Sequence, residues 1–511
     1  MGFIDRLFKS PSWGVHPDDH KRPAADAPLR ILPAPTRVYM PLQQHVGGAA
    51  RPIVLVGQKV LKGQLLAEPN GNISAPIHAP VSGTVSAIGD ITAPHVSGLG
   101  YSAISIDNDF EDCWIECETV ADPLALAPEE ITRKTAAAGI VGLGGATFPA
   151  APKFALGRRL KVDTLIVNGG ECEPYLSADD RIMRDRADQV VAGVRIVMHA
   201  IGASQALVGI EDNKPEAIEA MRQAVAAFPE VRICPVPARY PMGSDRQLII
   251  TLTGREVPAD ARAAEVGVLV HNVSTCAAVY QAVRHGRPLV ERIVTINGGA
   301  VGNPGNVFAP IGTLVSELLD FCGLKEKPAR LILGGPMMGT PLPHANVPLV
   351  KGASGILAFN AQEAHIPPAG PCIRCGNCTR ACPMGLLPLE MGSRIRAGDL
   401  EGATRFMLGD CISCGCCAYV CPSHIPLVQY FNHAKGELWA KERAKLRNEA
   451  AKRLVEARAV RLERETKEKA EAAARRKAER AAQKAREAAG QAVAQAVAQP
   501  AAQTQAEGEI A

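Results

Sequence analysis

Cys372-Ile373-Arg374-Cys375-Gly376-Asn377-Cys378, closed by Cys382-Pro383, recurs as Cys411-Ile412-Ser413-Cys414-Gly415-Cys416-Cys417, closed by Cys421-Pro422. Three thiolates so close in sequence let one tight loop wrap three corners of an iron-sulfur cubane. In paired runs of this kind the fourth cysteine ligates the other cluster. The ligand sets are therefore expected to cross: Cys372, Cys375, Cys378 and Cys421 hold one [4Fe-4S] cluster, and Cys382, Cys411, Cys414 and Cys417 hold the second. Zinc usually takes two separated ligand pairs, and disulfides belong to oxidising compartments. Neither accounts for two triplet-plus-one repeats. Cys416, a ninth thiol inside the repeat, reads as a small buried side chain and not as a ligand.

Outward from the repeats, 511 residues suggest three or four domains at about 150 residues each. The other six cysteines (Cys113, Cys117, Cys172, Cys234, Cys276, Cys322) show no framework spacing, and no signal peptide precedes them. A reducing compartment on the cytoplasmic side follows as the expectation. No uncharged apolar stretch reaches the ~18 residues of a bilayer span; the nearest, Val190 to Ile210, is interrupted by Arg195, His199 and Gln205. Net charge is +4, but His433 to Gly490 carries 18 Lys and Arg against 10 Glu, a local +8 that leaves the rest of the chain at −4. Basicity thus belongs to a tail with the composition of a long helix, and nucleic acid is not expected as a partner.

Along the chain, Phe3, Ile4, Leu7 and Phe8 recur with helical spacing beside Arg6 and Lys9, as in a short helix packed on its own body. Val54 to Ile88 reads as short strands between turns: Val56 to Val60, Gly63 to Ala67, Ala79 to Val85. This β-module resembles the barrel-sandwich hybrid of biotinyl and lipoyl carriers, whose prosthetic group hangs from a hairpin lysine. The corresponding turn here, around Ile77 and His78, has no lysine, so a scaffold is implied. From about Ile131 to Arg284, helices alternate with apolar strands such as Thr164 to Val167 and Ala206 to Ile210, the pattern of an α/β layer fold. Arg292 to Cys322 then reads as a small α+β module with a strand at Ile293 to Ile296, a helix at Ile311 to Leu319 and a stop at Gly323. In the tail, Glu437/Lys441, Glu449/Arg453, Glu463/Lys467, Glu465/Lys469 and Glu471/Arg475 are spaced as i,i+4 ion pairs. Beyond Gly490, Ala and Gln with little charge read as disorder.

Gly142-Leu143-Gly144-Gly145-Ala146-Thr147-Phe148-Pro149, followed by Lys153, places glycines where a backbone must approach something flat or anionic. Exposed N–H groups in such a turn can cradle phosphate, and a lysine one turn into the next helix supplies positive charge. Asn168-Gly169-Gly170-Glu171-Cys172-Glu173-Pro174 follows an apolar strand, where α/β folds place ligands. His271-Asn272-Val273-Ser274-Thr275 adds Asn and Thr side chains able to bind phosphate or ribityl hydroxyls.

These three motifs, in this order, resemble the FMN-binding, NADH-oxidising subunit of respiratory complex I. The resemblance implies that Gly142, Gly144, Gly145, Lys153, Asn168, Glu171, Asn272 and Thr275 form a flavin site, with Phe148 and Glu173 near a nicotinamide. Leu143, Gly170 and Ser244-Asp245 depart from its pattern, where Tyr240, Gly243 and Asp245 keep part of one element. With the β-module before, the cysteine runs after and Gly14-Val15-His16-Pro17 at the start, residues 14 to 425 resemble the C subunit of the Rnf ion-translocating electron transport complex. The fold so implied is multidomain α/β and α+β. Its parts are an N-terminal segment (1–30), a barrel-sandwich-hybrid-like domain (31–115), an α/β FMN/NADH domain (125–285), a β-grasp-like SLBB module (290–340), a ferredoxin-like domain with two [4Fe-4S] clusters (362–430), a basic helical tail (433–490) and a disordered end (491–511).

The resemblance implies an NADH-linked oxidoreductase subunit that passes electrons between NAD(H), FMN and the two clusters. Its partners would be membrane-embedded and ferredoxin-like Rnf subunits that couple the transfer to Na+ or H+ movement. The place implied is the cytoplasmic face of the bacterial inner membrane, where the tail could touch anionic lipid at about 1 kcal/mol per basic residue. Two alternatives stand beside it: a cobalamin reductase of similar architecture, and a non-enzymatic wire with a degenerate flavin site. Loss of FMN with intact clusters would mark the wire, and reduction of cob(III)alamin would mark the reductase.

Overall fold

The computed structural model describes residues 13–497. The apolar pattern at Phe3, Ile4, Leu7 and Phe8 and positions 498–511 of the expected disordered end lie outside the described residues.

The β-module is built from a 4-stranded and a 3-stranded sheet. Arg37–Pro41 pairs antiparallel with Gly100–Asn108, which pairs with Gly83–Thr92 and, through it, Lys59–Val60 is joined. Alternation puts Val38 and Met40 inside, where they meet Val85, Ile104, Ile106 and Leu66. Ile77 and His78, expected at a turn, instead form a short buried strand paired with Leu65–Glu68. Ile77 is apolar enough to be worth more in the core than at a tip.

The α/β domain carries a 4-stranded parallel sheet in the order Val231–Val236, Gln205–Glu211, Thr164–Gly169, Val268–Asn272. From Thr164–Gly169 the chain winds outward through two strands, then crosses back to lay Val268–Asn272 on the other side. The reversal leaves a crevice between the carboxyl ends of Thr164–Gly169 and Val268–Asn272, where open α/β sheets bind ligands. Asn168 and Asn272 are register partners there.

The expected α+β module is larger than its sequence segment. Glu291–Asn297 and Gly305–Pro310 form a hairpin inside a 6-stranded sheet whose edge is Arg30–Ile31 and whose far side is Gly355–Phe359, Arg330–Leu333 and Thr340–Leu342. Its helix is Val315–Cys322, with Gly323 as the stop, so it begins one turn later than the expected start at Ile311. Strand segments distant in sequence complete this sheet because its hairpin alone would leave Val294 and Ile296, both fully buried, open on one side.

Lys351 joins three modules. Its side chain is fully buried, and Nζ donates to the carbonyls of Pro76 and Gly139, each at 2.8 Å. Burial without a carboxylate pulls the ammonium down to about 7 from 10.5. Burial first, and then the Lys351 charge, hold neighbouring His78 at about 3. The folded chain releases the Lys351 proton near pH 7 and the unfolded chain near 10.5, so the unfolded state binds more protons between them and stability must rise with pH across that window. Denaturant unfolding of the parent and Lys351→Met should therefore diverge in slope, the parent gaining on the order of 3–5 kcal/mol more between pH 7 and 10. Parallel stability curves would count against a buried titrating amine.

The two cysteine runs repeat one backbone path. Arg374 and Ser413 (φ 55° and 57°), then Gly376 and Gly415 (φ 75° and 88°), take left-handed conformations at equivalent places, and each glycine caps a short helix, Asn377–Ala381 or Cys416–Tyr419.

Residues from His433 onward form a second unit. The helix Leu427–Val497 runs through it, so 491–497 are helical and not disordered as expected: Ala and Gln are good helix formers that extend an existing helix without a new nucleus. None of the five expected Glu-first pairs is at ion-pair distance. Arg464–Glu468 and Arg475–Glu479 are ion-paired and His433 lies 3.1 Å from Glu437, all base-first. Exposed pairs on a helix gain a few tenths of a kcal/mol, too little to fix long side chains in one rotamer. Among the described residues no helix is long and apolar enough to cross a membrane.

Candidate functional site

The glycine turn lies over the crevice. It closes on itself through Gly142 N–H to Phe148 O (2.9 Å) and Thr147 N–H to Gly142 O (3.2 Å), while Gly144, Gly145 and Ala146 stay exposed. Gly145 has φ 101°, and a Cβ there would project into open space. Gly144 lies on Asn272, where a Cβ would come within 3.3 Å of the asparagine Cβ. Leu143 N–H donates to the buried Thr275 hydroxyl at 2.9 Å, so Thr275 anchors the turn. Lys153 sits in the helix Ala150–Arg159 and donates to Val270 O at 3.1 Å. Its charge also reaches the exposed Asp245.

Behind the turn runs a polar network. Asn272 Nδ2 and Ser274 Oγ both donate to the Asp179 carboxylate at 2.6 Å. Glu171 accepts from the backbone N–H of Asp179 (2.7 Å) and Asp180 (3.1 Å), so it caps the helix Ala178–Asp185. Burial, and then the Asp179 charge, push its carboxyl up to about 7. Asn168 bridges Gly243 O and Gly170 N–H. Buried Lys21 donates to the carbonyls of Glu171, Glu173 and Leu176, pinning the acidic loop from the N-terminal segment.

Phe148 and Glu173 complete the expected set. Phe148 is half-buried at the edge of the turn. The Glu173 carboxylate, expected beside a nicotinamide, accepts from Met337 N–H (3.0 Å) and Met338 N–H (2.8 Å), and burial raises it to about 7. An acid so deep needs amide donors, and the loop after Gly335 supplies them.

Two cavities contain the repeats. One is lined by Cys372, Cys375, Cys378 and Cys421 with Leu389 and Ile425; the other by Cys382, Cys411, Cys414 and Cys417 with Met391 and Phe431. Arg374 N–H donates to Cys372 Sγ and Ser413 N–H to Cys411 Sγ, both at 3.4 Å, the same bond in each copy. Among the described residues no three His, Cys, Asp or Glu side chains gather closely enough for a single metal ion. Four soft thiols around an apolar cavity, too spread for one ion, fit an iron-sulfur cluster and not zinc. Cys416 is fully buried beside them, its Sγ 4.0 Å from Tyr240 O.

Tyr240 links the cavity of Cys382, Cys411, Cys414 and Cys417 to the acidic loop after Thr164–Gly169. It is 2% exposed, and its hydroxyl donates to Cys414 O at 2.6 Å. With Cys172, Met337, Cys414 and Cys416 it forms one apolar cluster, in which Gly243 N–H donates to Cys172 Sγ. The sequence marked Tyr240 and Gly243 as remnants of one element, but gave no sign of the Cys414 contact, of Lys21 or of Asp179. Those contacts join segments more than 90 residues apart and leave no local pattern.

A glycine turn at a switch point, in a chain that also carries two four-cysteine cavities, defines an iron-sulfur flavoprotein of the electron-transfer oxidoreductase class. Family models agree segment by segment: the RnfC barrel sandwich hybrid domain over 10–111, the Nuo51 FMN-binding domain over 135–281, the SLBB domain over 293–341 and the 4Fe-4S dicluster domain over 371–425. The chain is 51% identical over 427 residues to the C subunit of the ion-translocating oxidoreductase complex of Rhodobacter capsulatus, covering 83% of this chain and 82% of that one. It is 48% identical over 453 residues to the equivalent C subunit of Pseudomonas aeruginosa, covering 88% and 58%. It is 45% identical over 435 residues to the C subunit of the proton-translocating ferredoxin:NAD(+) oxidoreductase complex of Clostridium ljungdahlii, covering 84% and 94%. The chain belongs to the RnfC family, the C subunits of ion-translocating oxidoreductase complexes, and other subunits of such a complex are its partners. Neither alternative is favoured: these relatives are named for ion-translocating oxidoreductase complexes, not for corrinoid reduction, and the FMN-binding domain model matches residues 135–281.

Proposed function

We propose that this chain is the peripheral subunit through which its complex exchanges electrons with NAD(H), at the cytoplasmic face of the membrane. The observation that carries the reading is the buried Tyr240 hydroxyl on Cys414 O, in one apolar cluster with Cys172, which joins one four-cysteine cavity to the acidic loop after Thr164–Gly169. Flavin accepts hydride as an electron pair and releases electrons singly, which one-electron clusters require. The backbone of Gly142, Gly144 and Gly145 would lie along the flavin. Lys153 would face its phosphate, and Asn168, Glu171, Asn272 and Thr275 would fix the turn and the crevice around it. The cavity of Cys382, Cys411, Cys414 and Cys417 is the nearer acceptor position, since Cys414 shares an apolar cluster with Tyr240 and Cys172. Cys372, Cys375, Cys378 and Cys421 then form the exit toward a partner. Other members of the complex, not this chain, would move Na+ or H+, and the +8 tail could add contact with anionic lipid.

Anaerobic NADH titration of the FMN- and iron-loaded chain tests this. Bleaching of the flavin band followed by cluster reduction, seen by electron paramagnetic resonance, is expected. Clusters that dithionite reduces while NADH leaves the flavin oxidised would remove NAD(H) from the scheme and leave the cofactors in place.

A further inference from the structure

A cavity of about 410 Å³ opens where the β-module, the α/β domain and the six-stranded sheet meet; Leu143 and Ser274 form part of its wall, but none of Gly144, Gly145, Lys153 or Asn168 lines it. That volume falls within the range of small-molecule sites, which favour domain junctions. Three arginines line it: Arg186, Arg287 and Arg292. Arg292 is 5% exposed, donates only to the carbonyls of Ile293 and Lys351, and burial draws its guanidinium down to about 10, an effect the Asp179 charge offsets only in part. Among the described residues none of the three makes an ion pair. The lining's one acid, Glu291, is already matched by Lys62 at 2.7 Å. Buried positive charge without a contacting counter-charge is costly, and an anion entering the cavity would relieve it. Two aromatic rings share the lining: Arg287 lies 5.2 Å from the Trp114 ring centre and Arg186 4.8 Å from that of Phe308. Gln189 and Gln281, hydrogen-bonded at 3.0 Å, add amides suited to a polar ring edge.

The geometry points to a second ligand site here, for a small anion that carries a flat ring, of the nucleoside monophosphate class. Its phosphate lies among Arg186, Arg287 and Arg292, and its ring lies along Trp114 or Phe308. The site is distinct from the crevice, and its occupant is bound without chemical change.

Calorimetric titration of the full chain, loaded with FMN and iron, uses AMP as probe. Saturable binding is expected, weakened at least about tenfold in Arg186→Gln/Arg287→Gln, two accessible positions whose replacement leaves FMN and iron content intact. Adenosine and inorganic phosphate should each bind at least about tenfold more weakly than AMP. No saturable heat at millimolar AMP, equal affinity in the double variant, or phosphate binding as tightly as AMP would each overturn the assignment. AMP binding abolished by Gly144→Ala but untouched by the arginine changes would also overturn it, by placing the ligand in the crevice.

Discussion

Replacing Cys411 and Cys421 together by alanine is expected to strip the chain of both clusters, whereas replacing Cys372 and Cys421 together should spare one. The two pairs differ only in which cavities they reach. Cys372 and Cys421 line a single cavity, so losing both opens one ligand set. Cys411 and Cys421 belong to one sequence run but line different cavities, so losing both leaves each set a ligand short. Iron analysis reads the outcome. The parent should hold about eight irons, the Cys372/Cys421 variant about four and the Cys411/Cys421 variant close to none. Ligation within each run predicts the reverse order for the two variants. Zinc in place of iron in the anaerobically prepared parent would dismiss clusters altogether. The flavin domain's core around Leu165, Val167, Val194 and Val208, shared with the β-module, contains no residue of the cysteine runs, so FMN content should survive both changes and serve as the control for folding.

Gly144→Ala should weaken FMN binding by about 100-fold, roughly 2.7 kcal/mol, while iron stays at about eight per chain. The added methyl would stand 3.3 Å from Asn272 Cβ and 3.6 Å from its Nδ2. Asn272 cannot retreat, because its amide is held by Asp179 and its Oδ1 caps the helix Val273–His285 through Ser274 N–H. The turn must therefore rise off the crevice, against its Leu143 N–H anchor on Thr275. Since its exposed edge is the surface offered to the flavin, a shift of a few tenths of an ångström misplaces several N–H donors at once. Fluorescence titration of the apo-flavin protein measures the loss. Parent-like FMN affinity would show that the flavin does not lie along this turn.

Much of this was legible because it is local. The cysteine spacing states how three thiols share one loop, and both copies do adopt one path through left-handed Gly376 and Gly415. The glycine turn, the strand Thr164–Gly169 and the strand Val268–Asn272 are likewise announced by short runs whose backbone needs are strict. Glu173 and Thr275 were harder. Sequence marks them as polar groups near a ligand, but their partners, the Met337 and Met338 amides and the Leu143 amide, come from loops that no period or motif connects to them.

What the sequence determined by itself was the identity of the cofactor-bearing segments and their order, because ligand spacing and strand period are properties of neighbours along the chain. Tertiary structure alone decided that Arg30–Ile31 and Gly355–Phe359 complete the six-stranded sheet, and that Lys351 ties three modules through two carbonyls. It also decided that Tyr240 reaches Cys414. Each of these answers a demand to pair a buried backbone or polar group, and where the partner lies in sequence is immaterial to that demand.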